Sequence, residues 1–309
     1  MSSTLTLVPV GADEPWDDLV ARSPQGTLFS ERLYLHVTER RHDLFWVKQG
    51  QETKAGIALV VSDDGARCEL DDLVIYGGIL SDLDHRRPAV KRRHDEFQIF
   101  EFAIEELAAR YASVEITFAP QCEDMRPVLW YRYHDADVEK FRIDLRYTSY
   151  VDLSSLGAFE GREEASPCFE RMEKVRRYSV REARRKGGTV RRVESGDCLV
   201  EFYRALMARQ DAPQHEAKLA RMKRVIHGLV DAGRGSVYEV LDANDTVIYA
   251  VCYGWDSKRA YYLFGAGHTD LSEPWQGTVA HWEALKSLAH VRPVTEVDLQ
   301  GSNSPPRGR

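Results

Sequence analysis

Residues 170–192 hold ten basic side chains against three acidic ones, inside a chain whose net charge is −7. Lys174, Arg177, Arg181 and Arg184 are spaced by 3, 4 and 3, so on an α-helix they share one face. Four aligned cations can grip phosphates, either of a nucleotide-linked substrate or of tRNA. The same pattern also suits a solvated helix face balanced by acidic neighbours. Gly187 and Gly188 then turn the chain sharply.

Three further segments could carry chemistry. Tyr76, Gly77 and Gly78 follow a predicted strand. Two glycines permit close backbone approach, so a substrate could lie on this turn with Tyr76 beside it, and a plain tight turn reads the same. Gly265, Ala266, Gly267 and His268 form a predicted small-residue loop before Trp275, Gln276, Gly277, Thr278 and a helix. A helix N-terminus after such a loop is a ready anion site. His268 could act there as a base, or be an exposed loop histidine. Asp298 ends a predicted strand that runs into Leu299, Gln300, Gly301, Ser302 and Asn303. Active sites of open sheets lie at such strand ends, which makes Asp298 a second proton acceptor and Gly301, Ser302 and Asn303 substrate contacts. A simple strand-to-turn exit is the alternative.

Signatures of serine and cysteine hydrolases, zinc proteases, P-loop kinases and dinucleotide enzymes do not stand out. A transferase that positions an amine beside an activated acyl group needs none of them. The acidic balance confines any nucleic-acid contact to a local patch. Cys68, Cys122, Cys168, Cys198 and Cys252 are scattered without a C-x-x-C pair, which argues against a disulfide framework or structural zinc. Residues 1–15 lack a basic, apolar leader pattern. No apolar run approaches the roughly 20 residues that span a bilayer. The expectation is a cytoplasmic protein with reduced thiols, no metal and no membrane span.

The elements that must position these residues follow from periodicity. A chain of 309 residues is large for one core, so two domains are expected. Helices are predicted around Trp16, Leu19 and Val20 and over 29–39, and strands over 44–48, 55–62 and 68–75. Phe97, Phe100, Ile104, Leu107 and Tyr111 fall at helical spacing, and strands follow at 114–118, 141–145 and 150–153. The second half reads as helices around Leu199 and Leu219, then strands at 236–241, 247–254 and 259–264, a helix at 278–290 and a strand at 295–299. The polar stretch 154–167 is the predicted boundary, giving domains 1–155 and 168–309. Helices and strands mix without strict alternation, which predicts an α/β protein of α+β character with mixed sheets. The two halves repeat the same coarse order.

Three stretches in order resemble the FemABX-like branch of the GNAT acyltransferase superfamily, the peptidoglycan bridge aminoacyltransferase kind. They are Ser23, Pro24, Gln25 and Gly26 with the residues up to Ser30; the basic helix from Lys174 to Gly187; and His281, Trp282, Glu283, Ala284 and Leu285 leading to Asp298, Leu299, Gln300 and Gly301. The resemblance implies tandem GNAT-like domains with a cleft between them. It implies transfer of an amino acid from aminoacyl-tRNA to an amine, such as that of a peptidoglycan precursor. In relatives a lysine of the second helix binds a nucleotide-linked substrate; that position falls near His36 here. The partner arginine of the basic helix is Arg177 or Arg181. The Phe-Lys pair that follows the final glycine loop in relatives is not present before Arg309, so the second domain is expected without its last strand. An N-acyltransferase using acyl-CoA as co-substrate is the alternative, and a catalytically idle GNAT-like binding module is a third. Transfer is expected to be direct, with no protein nucleophile.

Overall fold

The computed structural model describes residues 4–84, 86–157, 165–209, 216–291 and 294–301. It divides into two compact units, Met1–Leu145 and Arg146–Arg309. Both are mixed α/β, as expected.

The first unit runs β1 (Leu5–Pro9), α1 (Trp16–Arg22), a 3-10 turn (Leu28–Ser30), α2 (Arg32–Thr38), β2 (His42–Gln49), β3 (Glu52–Val60), β4 (Arg67–Cys68), β5 (Gly78–Ser81), α3 (Ala89–Arg110), β6 (Ser113–Val114) and α4 (Arg126–Leu129). An antiparallel sheet has the order β1-β2-β3-β5, and β4 pairs with β6 in parallel. α3 buries Ile99, Phe100, Ala103, Ile104 and Leu107, the i, i+3, i+4 stripe that its periodicity predicts. That stripe joins Val47, Ile57 and Ile79 of the sheet in one core. Each of these Ile, Leu, Val and Phe side chains, fully buried, contributes roughly 1.5–3 kcal/mol.

Four predicted elements change here, one of them the strand expected over 114–118, which forms only as Ser113–Val114. The helix expected over 29–39 breaks at Glu31, which has an extended ψ of 144°. The strand expected over 68–75 ends at Cys68, because the Asp71 carboxylate accepts from Leu73 N at 2.9 Å and folds the chain into a turn. No strand forms over 141–145. Phe141 instead packs edge-on against Tyr131 at 5.0 Å.

The second unit runs β7 (Tyr150–Asp152), α5 (Ser154–Gly157), α6 (Pro167–Arg171), α7 (Lys174–Arg185), β8 (Thr189–Val193), α8 (Asp197–Arg209), α9 (Glu216–Asp231), β9 (Gly235–Leu241), β10 (Val247–Trp255), β11 (Arg259–Gly267), α10 (Gln276–Leu288) and β12 (Glu296–Asp298). Its six-stranded sheet has the order β7-β12-β11-β10-β9-β8. All pairs are antiparallel except β11 with β12, which the helix α10 connects. A parallel pair needs such a crossover. The unit begins at Arg146, upstream of the polar stretch 154–167, because Tyr150–Asp152 joins the sheet beside β12. Gly265, Ala266 and Gly267, expected in a loop, continue β11 instead.

Gly78 shows where backbone freedom is required. Its φ is +82°, and a Cβ there would lie 2.9 Å from Ile116 and Phe118. Gly78→Ala is therefore expected to destabilise the first unit by about 2 kcal/mol or more, from the left-handed backbone and the overlap together. Urea unfolding of the variant against the parent protein checks this; an unchanged midpoint would contradict it.

Candidate active site

The second sheet opens at one place. β11 and β12 pair only through Arg259 with Glu296, Ala260 with Val297 and Tyr261 with Asp298. Beyond that, residues 262–267 of β11 have no strand partner on this side among the described residues. An edge of backbone N–H and C=O groups left without a ladder must find other partners.

A buried polar knot fixes the point of parting. Asp298 is fully buried. Its Oδ1 accepts from Thr148 Oγ1 and, at 2.8 Å, from Gln300 N. Gln300 takes a left-handed φ of 52° and so leaves the strand direction. Below the knot, the Asp256 carboxylate accepts from Tyr261 Oη at 2.6 Å and from Arg259 N at 2.8 Å. Arg259 Nε donates to Glu296 at 2.9 Å. The lower ends of β11 and β12 are thus clamped while the upper ends separate.

Helix α10 starts beside the open edge. Gln276, Gly277 and Thr278 form its first turn, where unsatisfied N–H groups and the helix dipole favour an anion. The basic helix α7 packs against α10. Arg176 Nη1 donates to Thr278 Oγ1 at 3.4 Å, Arg184 lies 3.8 Å from Glu283, and Lys186 Nζ lies 2.8 Å from Glu273. On the sheet side stand tyrosines. Tyr249 and Tyr262 are hydrogen-bonded to each other. A Cβ on Gly265 would fall 2.3 Å from the Tyr262 hydroxyl, so these hydroxyls lie directly over the glycine backbone. Burial pushes the Tyr249, Tyr253 and Tyr262 phenols up, and all three stay protonated.

His281, on the second turn of α10, completes the group. Its Nδ1 lies 2.5 Å from the Tyr253 hydroxyl and its ring 4.9 Å from that of Tyr262. Burial, with Arg176 nearby, lowers its pKa to about 4. The imidazole is neutral at pH 7.

The residues singled out in the sequence distribute as follows. His36, exposed on α2, and Tyr76 belong to the first unit. Tyr76 is buried edge-on against Phe29 at 5.6 Å, while Gly77 and Gly78 line a shallow open groove with Leu35, Val74 and Ile116. Lys174, Arg177 and Arg181 lie on α7 of the second unit. Lys174 is exposed; Arg177 Nη1 donates to Glu170 O at 3.1 Å; Arg181 covers the Phe169 ring at 5.5 Å. His268 follows β11, and its Nδ1 accepts from Asp270 N and Leu271 N, both at 3.1 Å. That lone pair shapes the loop. Asp298 holds the knot, and Gly301 is partly exposed. Ser302 and Asn303 lie outside the described residues. His281, Tyr249, Tyr253 and Tyr262 were not singled out as site residues. The signal was a histidine at 281 flanked by Ala280 and Trp282 on a helix buried over most of its circumference. No helix among the described residues is long and apolar enough to cross a membrane, and among them no group of three or more His, Cys, Asp or Glu could hold a metal ion.

Two outcomes follow from these contacts. Asp298→Ala should cost roughly 1–3 kcal/mol of stability, since Thr148 and Gln300 N lose a buried acceptor; thermal unfolding measures it, and unaltered stability would leave the carboxylate free for another task. His281 has a folded pKa of about 4 against 6.5 for the free side chain. The unfolded chain therefore binds more protons between these values, and stability falls as pH drops from about 6.5 toward 4. His281→Asn should flatten that part of the pH profile; an identical slope would contradict the assignment.

Residues 172–305 match the family model of the acetyltransferase (GNAT) domain. No curated protein sequence matches the chain. The fold is similar to the crystal structure of FemX, with TM-score 0.62 and 14% identity over 97% of this chain and 90% of that one. It is also similar to a tandem GNAT protein from the clavulanic acid biosynthesis pathway, with TM-score 0.54 and 13% identity over 98% and 92% of the two chains. Residues 172–305 thus match a GNAT acetyltransferase domain, and the fold of the chain is similar to those of FemX and of the tandem GNAT protein.

Proposed function

We propose that the protein transfers an aminoacyl group from aminoacyl-tRNA to an amine of a small-molecule or peptidoglycan-precursor acceptor, by direct attack. The observation that carries this reading is the joining of basic helix α7 to the N-terminus of α10, whose Gln276 reaches Gly267 at the end of the β11 stretch that β12 does not pair. A donor whose activated acyl group is tethered to phosphates fits that arrangement. The anion meets α7 and the α10 terminus, and the acyl carbonyl reaches the open edge. The likeness to FemX favours an aminoacyl donor. The GNAT acetyltransferase match favours a second reading, in which the donor is an acyl-CoA thioester.

Direct transfer suits the thiols. Burial pushes Cys68 and Cys122 up to about 12 and Cys198 to about 11, and raises Cys168 and Cys252. None is a thiolate at neutral pH. The reaction then relies on orientation and on hydrogen bonds to the developing oxyanion.

Thermal shift with aminoacyl-tRNA, uncharged tRNA, acetyl-CoA and CoA in parallel tests the donor. A donor at 100-fold its Kd stabilises by about 2.7 kcal/mol. The expected result is a rise in Tm with the charged tRNA; a rise confined to acetyl-CoA and CoA selects the second reading. Arg177→Ala combined with Arg181→Ala should weaken donor binding by roughly 1.5–3 kcal/mol per lost charged contact, with little change in Tm. A lowered Tm at unchanged affinity would make the stripe structural. Intact-protein mass spectrometry after mixing with donor alone should show no acyl adduct; a stoichiometric adduct competent for transfer would overturn direct attack.

A further inference from the structure

His281 has one ring nitrogen committed and one free. Tyr253 is fully buried and shares its hydroxyl only with His281 Nδ1 among the described residues. A buried phenol with a single partner donates to it when that partner has a lone pair. Nδ1 then accepts, and the proton of the neutral ring sits on Nε2. That nitrogen has no hydrogen-bond partner among the described residues, although the ring is mostly covered. The imidazole stands against Tyr262, the first residue of β11 past its pairing with β12. The groups that face it are Tyr253 of β10, Tyr262 of β11 and Arg176 of α7. The two phenols remain neutral, and the guanidinium opposes a second positive charge on the ring.

We infer that His281 is a catalytic hydrogen-bond donor, its Nε2–H aimed at the acyl carbonyl oxygen, and that Tyr253 is the positioning residue that fixes its tautomer. The inference rests on the acyl-transfer reading above. In the step, the amine nitrogen bonds to the acyl carbon. The bond from that carbon to the leaving oxygen or sulfur breaks, taking its electron pair. The amine's proton ends on the leaving group. His281 keeps its own proton throughout and supplies only a hydrogen bond to the oxygen as it gains charge. A neutral imidazole suits this role, because it donates without a protonation equilibrium near pH 7.

The test uses the full chain with ¹⁵N-labelled histidine, observed by NMR between pH 5 and 8. Expected is a neutral His281 with hydrogen on Nε2 across that range, and loss of the single tautomer in Tyr253→Phe. Acetyl-CoA or 3′-alanyl-adenosine, whichever binds, should then shift the Nε2 signal, while CoA and adenosine, which lack the acyl carbonyl, should not. A ring that protonates between pH 5 and 8, a proton on Nδ1, or equal shifts with and without the acyl group would overturn the role. The Tm is recorded in the same samples. A probe that raises Tm but leaves the His281 signal unmoved overturns this role alone. Absence of a Tm rise with both acyl probes and with aminoacyl-tRNA overturns the acyl-transfer reading and this role with it.

Discussion

One buried carboxylate sets the geometry of the second unit. A parallel strand pair ordinarily continues as long as both strands remain extended. Here Asp298 spends its Oδ1 on Thr148 and on the backbone of Gln300, and the chain turns away after three paired residues. Burying that charge has a cost that its hydrogen bonds must offset. The product is a wedge between β11 and β12 whose apex is locked by Asp256, Tyr261, Arg259 and Glu296. A site built on a fixed apex can be open without being loose.

The chemistry around that wedge divides by charge. α7 and the first turn of α10 supply positive potential from side chains and from the helix terminus. The sheet supplies only neutral side chains, Tyr249, Tyr253 and Tyr262, and the second turn of α10 adds the neutral imidazole of His281. In the proposed transfer, a polyanionic carrier and an uncharged acyl carbonyl would therefore meet different surfaces of one site. This separation matches what an activated ester or thioester presents.

Much of this was legible beforehand. The apolar stripes of α3, α8, α9 and α10 gave their helices, because a 3.6-residue period survives small changes of environment. The cations of α7 were read correctly as one basic helix. The segment Ser23 to Gly26 also marked something real: Gln25 is buried, and its Oε1 accepts from Ser23 Oγ at 3.1 Å and from Ser81 N at 3.1 Å, tying the α1 exit to β5. What could not be read were partnerships across sequence distance. The contact between Tyr253 and His281 joins positions on different elements, and between apolar neighbours a histidine looks like filler. Gly265 and Gly267 suggested a loop, since nothing in the local sequence reveals that tyrosine hydroxyls and Gln276 crowd a strand there. Asp298 was noticed for its place at a strand end, but its partner Thr148 lies 150 residues away.

The glycines of β11 have a consequence for how such a protein diversifies. At Gly265 and Gly267 the open edge presents main chain, with no side chain to exchange. Main-chain groups distinguish ligands by shape and by the direction of their hydrogen bonds, which every sequence shares. Variety in what is accepted must then arise from residues around the edge, such as Tyr249 and Tyr262, whose replacement leaves the ladder with β10 intact. On the proposed function, substrate range and architectural integrity would thus reside in separate sets of positions, and the one could drift while the other is held.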